Sequence, residues 1–267
     1  MKFPDIARHN LAVYRGRLLS WRFQRRTELF APEASILQRL GARFTYRNVL
    51  DIGVGGGRTT AHLLKISGNY TGIDYSPQMI ARCRERYPEL SFAVCDARDL
   101  SRFEDGSFDL VFFSFNGIDC VDHADRITVL REIFRVLGKG GVFVFSTHNR
   151  DCNAGRSPWN LTNLPLQINP FNQPLRFLVR IFDYFAGITN YLLSHRHEQQ
   201  CADYAICTTE ANHYRMLMYL ISVPKQIEQL EKIGYLSIEV VGLDGYSLSA
   251  CEYGRCRDPF LYYLGRR

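Results

Sequence analysis

The sequence predicts an α/β protein: a doubly wound, mostly parallel sheet of seven strands, with an antiparallel hairpin at its C-terminal edge and an insertion between the fifth strand and the following helix. Three observations predict it. Short apolar runs alternate with segments of helical spacing, joined by short loops, from residue 48 to 149. The first run ends in a glycine cluster, Asp51-Ile-Gly53-Val-Gly55-Gly-Gly57. The alternation breaks over residues 150–222 and resumes at Pro224.

Val49, Leu50 and Ile52 form the first strand, a buried one that runs into a tight turn. Residues 58–66 then space Ala61 and Leu64, with Leu63 beside them, on one face of a helix. Residues 70–74 are the second strand; Ser76 and Pro77 suit the cap and first position of a helix through Arg86. Residues 91–95 are the third strand and 108–113 the fourth, where the lack of polar alternation after Asp109 predicts cover on both faces. A helix over 125–137 carries Ile127, Leu130, Ile133, Phe134 and Leu137, and the glycines of 138–141 are expected to stop it before a fifth strand at 142–145. In the insertion, Pro158, Pro165, Pro170 and Pro174 precede an apolar helical stretch near 175–193, and residues 204–207 and 214–219 read as a pair of extra strands. Pro224 opens a helix through Lys232 that Gly234 ends, and 237–241 with 259–264 read as the closing hairpin. Ligands of such sheets bind at the carboxyl ends of the strands.

With 46% hydrophobic and 22% charged residues, the composition excludes disordered, collagen-like and fibrous classes. No run of 18 apolar residues offers a transmembrane helix. Of the net charge of +6, nearly all sits in residues 1–30, where seven Lys/Arg face only Asp5 and Glu28. That segment reads as a nucleic-acid-binding arm, a transit peptide or an amphipathic helix laid over a pocket. Asp5, the single Ser20 and the lack of a small-residue cleavage site weigh against transit. Eight cysteines without a CxxC pair read as free thiols of a reducing, cytoplasmic compartment. His195, His197 and Cys201 match no zinc spacing, so no metal is expected.

The glycine cluster carries the chemistry. Glycines between a strand and a helix let the backbone turn sharply and approach a ligand, and the helix start offers free N–H groups to an anion. Asp74, at the end of the second strand, stands where a carboxylate accepts ribose hydroxyls. A dinucleotide site calls for G-x-G-x-x-G, but Arg58 fills the place of the third glycine. The glycines fall instead at 53, 55 and 57, with Asp51 ahead of them to face an ammonium group. That suits a nucleoside with an amino-acid head, S-adenosylmethionine.

The stretches VLDIGVGGGRTT (49–60), GIDYSPQMI (72–80), FAVCDARDL (92–100), FDLVFFSFNGID (108–119) and LREIFRVLGKGGVFVFSTHN (130–149) together resemble the class I S-adenosylmethionine-dependent methyltransferases. The resemblance covers roughly residues 30–150 and, more loosely, the elements after 223. It implies that Asp51, Gly53 and Gly55 lie along the methionine part of the cofactor, that Asp74 holds the ribose, and that Tyr75 and Met79 flank the adenine. It implies further that Asp96 and the Ala97 N–H bind the ring, and that Phe115 and Asn116 line the sulfonium and the substrate mouth. Gly138 departs from the family's usual Lys or Arg followed by Pro, at a structural turn. Other readings stay open: Gly57 as a turn residue, Met79 as ordinary core, Asp96 as a helix cap, and Arg58, Thr59 and Thr60 as either carboxylate contacts or a helix start.

Methyl transfer needs alignment and exclusion of water, and a base only where the acceptor carries a proton that must leave. His148 and Asn116 are the catalytic candidates, and His123 a lesser one. Tyr14, Trp21, Asp119, His148, Trp159 and Tyr214 are the candidate substrate contacts. The expected organisation is an N-terminal helical cap (1–47), a cofactor-binding core (48–150), a substrate lid (151–222) and a C-terminal completion of the sheet (223–267). Ten aromatic residues in the insertion suit a lid over a small, partly apolar or aromatic molecule, methylated on O, N or S. RNA or protein is the rival acceptor; a non-catalytic cofactor-binding subunit is the reading from another class. No membrane partner is expected, and the chain is expected to be a monomer or homodimer.

Overall fold

The computed structural model describes residues 5–14, 28–42, 46–152, 159, 173–209 and 211–267. Two helices, α1 (Ile6–Tyr14) and α2 (Ala31–Gly41), precede the sheet. The core then alternates β1 (Tyr46–Ile52), α3 (Thr60–Leu63), β2 (Ser67–Asp74), α4 (Pro77–Arg86), β3 (Ser91–Val94), β4 (Phe108–Phe113), a 3-10 turn (Gly117–Cys120), α5 (His123–Val136) and β5 (Leu137–Asn149). The insertion contributes α6 (Pro174–Ser194), β6 (Gln199–Gln200), β7 (Tyr204–Thr208) and β8 (Leu217–Ile221). Then come α7 (Val223–Ile233), β9 (Leu236–Val241) and β10 (Phe260–Arg266).

The strands β3-β2-β1-β4-β5 are parallel; β10 runs antiparallel on β5 and β9 antiparallel on β10. This is the predicted seven-stranded arrangement, doubly wound. On one face Leu50, Val111, Phe143 and Phe145 pack with Leu130 and Ile133 of α5 and Leu230 of α7. On the other, Val49, Leu110, Phe112 and Val144 pack with Ile36 and Leu40 of α2 and Ile80 of α4. Adjacent residues of one strand are therefore buried on opposite sides, which is why these strands lack polar alternation.

Three strands were not part of the predicted sheet. β8 pairs in parallel with His148 and Asn149 at the end of β5, beyond the point where β4 stops at Phe113↔Phe145. β7 and β6 follow it antiparallel, so the sheet has ten strands and the insertion extends it at its carboxyl edge. The extra pair is formed as expected, but Tyr214 lies in a 3-10 turn (Ala211–Tyr214) before β8. Two other boundaries differ. The helix expected over 58–66 is the single turn α3, because β2 already pairs with β1 at Tyr46↔Ser67 and the chain must return by then. The glycines of 138–141 belong to β5, where they form a bulge: Phe108 pairs with Leu137 and Leu110 with Val142. A Cβ on Gly141 would stand 2.8 Å from the Gly138 carbonyl oxygen, so only glycine fits there. No helix among the described residues is long and apolar enough to cross a membrane.

Candidate active site

A cavity opens at the carboxyl ends of β1, β2, β3 and β4. Its walls take in Asp51, Gly53, Gly55, Arg58 and Thr59 from the first turn, and Asp74, Tyr75 and Met79 from the second. Asp96, Ala97 and Phe115 come from the loops after β3 and β4. Eleven of the thirteen expected cofactor residues thus line one space. Gly57 and Asn116 do not. Gly57 has φ +78°, and a Cβ there would press on the Tyr87 ring at 3.0 Å, so it shapes the turn. The roof is Ala7 of α1. Asn10, fully buried, pins that helix by giving Nδ2 to the carbonyls of Cys120 (3.1 Å) and Leu217 (2.7 Å) and taking the Leu217 N–H (3.1 Å).

Two buried carboxylates stand in the wall with no salt bridge among the described residues. Asp51 accepts the hydroxyls of Thr59 (2.7 Å) and Tyr70 (2.8 Å), both on Oδ2. Burial pushes its carboxyl up to about 7, against the pull of those two hydroxyls. Asp74 accepts the N–H groups of Ser76 on Oδ1 (2.8 Å) and Gly55 on Oδ2 (2.9 Å), and burial pushes it up to about 6. Asp96 is held differently. Burial acts against its charge, but Arg98 outweighs it at 2.7 Å and keeps the carboxyl below its usual range; Arg98 also bridges to Asp125 at 2.6 Å.

Arg58 lines the cavity, but its charge is already matched. Glu33 of α2, fully buried, takes Nη1 at 2.5 Å and Nη2 at 2.6 Å, and Ser114 takes Nη2 at 2.9 Å. The guanidinium lies over the stacked rings of Phe30 and Phe115. A free Arg58 reaching for the cofactor carboxylate is therefore not what the structure holds.

Past β4 the backbone is unusual. Phe115 (φ 55°) and Asn116 (φ 59°) are successive left-handed residues, a conformation that costs about 1–2 kcal/mol each for side chains other than glycine. Ser146 Oγ accepts the Asn116 N–H at 2.8 Å and holds the turn. Asn116 Nδ2 faces His148 Nε2 at 3.4 Å. His148 Nδ1 lies 2.7 Å from Asp119 Oδ2, and its own N–H donates to the same oxygen at 2.8 Å.

Asp119, expected to touch substrate, cannot do so. It is fully buried, and Oδ1 takes Arg126 Nη1 (2.6 Å) and Thr147 Oγ1 (2.5 Å) while Oδ2 serves His148. The other substrate candidates divide. Tyr214 is buried edge-on against Tyr191 at 5.9 Å and builds the insertion's own packing. Trp159 is 56% exposed and outside the cavity wall. Trp21 and the ring of Tyr14 lie outside the described residues, as do the arginines of 15–26. His123 donates or accepts with Tyr219 OH at 2.8 Å and stacks on Tyr204. Sequence reasoning missed Glu33, Tyr70, Ser114 and Arg126. Only Arg126 left a signal: it falls on the buried stripe of α5 with Val129, Leu130 and Ile133.

The sequence model of a family described as "Methyltransferase domain" matches residues 49–141, the stretch that builds this cavity. Residues 49–141 are a class I S-adenosylmethionine-dependent methyltransferase domain. Curated relatives align over part of the chain. A probable S-adenosylmethionine-dependent methyltransferase of Mycolicibacterium smegmatis is 33% identical over 122 residues, 45% of this chain and 46% of that protein. Demethylmenaquinone methyltransferase of Beutenbergia cavernae is 40% identical over 114 residues, 42% and 45% of the two. Norajmaline N-methyltransferase of Rauvolfia serpentina is 36% identical over 110 residues, 38% and 36% of the two. The chain thus spans less than half the length of these relatives. Among solved structures, the 1,6-didemethyltoxoflavin-N1-methyltransferase of Burkholderia thailandensis, with bound S-adenosylhomocysteine, shares the fold over 98% of this chain and 87% of that one (TM-score 0.56, 15% identity). N-methyltransferase NodS of Bradyrhizobium japonicum does so over 98% of both chains (TM-score 0.54, 16% identity).

Proposed function

We propose that the chain is an S-adenosylmethionine-dependent methyltransferase whose acceptor is a small, partly apolar or aromatic molecule. The observation that carries this is the pair of buried carboxylates, Asp51 and Asp74, without a cation partner among the described residues. A desolvated carboxylate of that kind calls for a cation or a set of donors, and this cofactor offers both: an ammonium for Asp51 and ribose hydroxyls for Asp74. Asp96 and the Ala97 N–H take the adenine edge, and Tyr75 and Met79 its faces. When bound, the cofactor supplies an activated methyl group. The protein's own part is to orient the acceptor, exclude water and, where needed, take a proton.

In this reading residues 1–47 and 151–222 are cap and lid. Apolar side chains in the cavity wall, such as Ala7, Phe113, Ile118 and Val121, favour an apolar acceptor. Relatives named for demethylmenaquinone and norajmaline support a small-molecule one. The test is calorimetric titration with S-adenosylmethionine, followed by labelled cofactor and cell extracts with and without RNA digestion. Binding with label in a small-molecule fraction is expected. Failure to bind ends the reading; label only in undigested RNA moves the acceptor to RNA; binding without any transfer leaves a non-catalytic subunit. Asp74→Ala should weaken cofactor binding at least about tenfold, since hydrogen bonds to a charged group contribute roughly 1.5–3 kcal/mol.

A further inference from the structure

Arg126 is a fully buried guanidinium. It binds Asp119 through Nη1 (2.6 Å), Thr147 Oγ1 (3.0 Å) and Gln226 Oε1 (2.6 Å) through Nη2, and Gln229 Oε1 (3.2 Å) through Nε. The Tyr219 ring stacks on it at 4.5 Å. Asp119 passes that order on. Its Oδ2 can only accept, so the ring atom 2.7 Å away, His148 Nδ1, carries the proton. A neutral imidazole protonated there has a bare Nε2. The group facing Nε2 is the side-chain amide of Asn116, at a long 3.4 Å. Asn116 stands between Phe115 and Gly117, both in the cavity wall.

We propose that Arg126 and Asp119 are positioning residues that hold His148 with its basic Nε2 toward Asn116, just behind the cavity wall at Phe115 and Gly117, so that the acceptor is a molecule with a proton to lose: a phenol, an alcohol or a protonated amine. This rests on the methyl-transfer reading above. The acceptor's X–H bond breaks and its proton passes to Nε2; the X electron pair forms the bond to the methyl carbon, and the sulfur keeps the pair of the C–S bond. The imidazolium so formed faces the Asp119 carboxylate, which stabilises it in place. The long Asn116 contact is the one an incoming X–H replaces, as loose hydrogen bonds of unliganded sites commonly tighten only with substrate.

The first measurement needs no acceptor. Histidine-selective 15N NMR reads the tautomer of each imidazole, and His148→Gln identifies the His148 signals. The expected result at pH 7.5 is a protonated Nδ1 and a bare Nε2. Asp119→Asn is expected to abolish that preference while calorimetric affinity for S-adenosylhomocysteine stays within about threefold. A His148 protonated on Nε2 overturns the proposal in the unmodified protein, whether or not the Asp119 variant folds. The second measurement offers labelled cofactor with a panel of phenols, alcohols and amines. Transfer is expected, with kcat down about 100-fold or more in His148→Gln at unchanged cofactor affinity, the size usual for a lost general base. Unchanged kcat, or no labelled X–H acceptor while cofactor still binds, overturns it. Loss of cofactor binding in the unmodified protein would instead strike the methyltransferase reading itself.

Discussion

Asp51 and Asp74 show how much the sequence position of a single residue discloses. Each stands at the end of a predicted strand, Asp51 beside the glycine turn, and each lines the cavity. What sequence spacing did not disclose is that neither forms an ion pair among the described residues, which depends on where Arg58 goes. Arg58 looked free beside the glycines, yet Glu33, from 25 residues earlier, claims it. This has a measurable consequence. Burial raises the Asp51 carboxyl from 3.8 to about 7, so the folded state binds the proton more tightly than the unfolded chain. Its contribution to stability therefore falls as pH rises from about 4 to about 7, and the full penalty is present above that. Binding an ammonium group reverses the preference, because only the anion attracts it. Affinity for S-adenosylhomocysteine, which carries the same ammonium, should strengthen with pH between 6 and 7, by up to about tenfold per unit. Asp51→Asn should flatten that profile except for the smaller slope near 6 due to Asp74. Calorimetry from pH 5.5 to 8 checks it; a flat profile in the unmodified protein would contradict the assignment. Gly57 gives a second test at this scale. Its φ of +78° and the nearby Tyr87 ring make Gly57→Ala cost about 1–2 kcal/mol or more, lowering the melting midpoint by several degrees in a thermal scan.

At the scale of elements, local patterns were legible and distant pairings were not. Most of the strands and helices of the core fall where the apolar runs place them, because each is decided by residues within a few positions. α3 and the bulge in β5 differ because pairing partners, β1 with β2 and β4 with β5, set where a strand must begin. The attachment of α1 was invisible for the same reason: Asn10 meets Leu217 across 207 positions. That contact holds α1 in place as part of the roof. Asn10→Ala leaves the Leu217 N–H and C=O buried without that partner, at about 1–3 kcal/mol, which is enough to free a nine-residue helix. Hydrogen exchange should show α1 losing protection while β1 and β4 keep theirs, and S-adenosylhomocysteine should dissociate several-fold faster. Equal dissociation rates would mean that α1 does not hold the cofactor in.

The whole molecule is joined at Arg126. Its side chain contacts the core through Asp119 and Thr147, the C-terminal helix through Gln226 and Gln229, and the insertion through the Tyr219 ring. Besides it, the insertion meets the core through the short β5–β8 pairing, the apolar faces of β7 and β8, and His123, which contacts Tyr219 OH at 2.8 Å and stacks on Tyr204. Removing one partner of a buried ion pair leaves the other uncompensated, and such changes cost about 3–5 kcal/mol. Because the charge left behind, on Asp119, belongs to the core and the ring left behind to the insertion, that loss cannot stay in one part. Arg126→Ala should lower the melting midpoint by on the order of 10 °C, and amides of β4–β5 and of β7–β8 should lose exchange protection together. If calorimetry instead resolved two transitions, with the insertion melting first and the core unmoved, Arg126 would be a staple of the lid alone. Replacing Arg126 and Asp119 together by apolar residues should restore much of the midpoint, since no buried charge is then left unpaired. It should not restore the bare Nε2 of His148, because the acceptor that holds the Nδ1 proton is gone. Stability and the state of that imidazole separate in this double variant, and the separation distinguishes a structural ion pair from one that also sets the chemistry of the site.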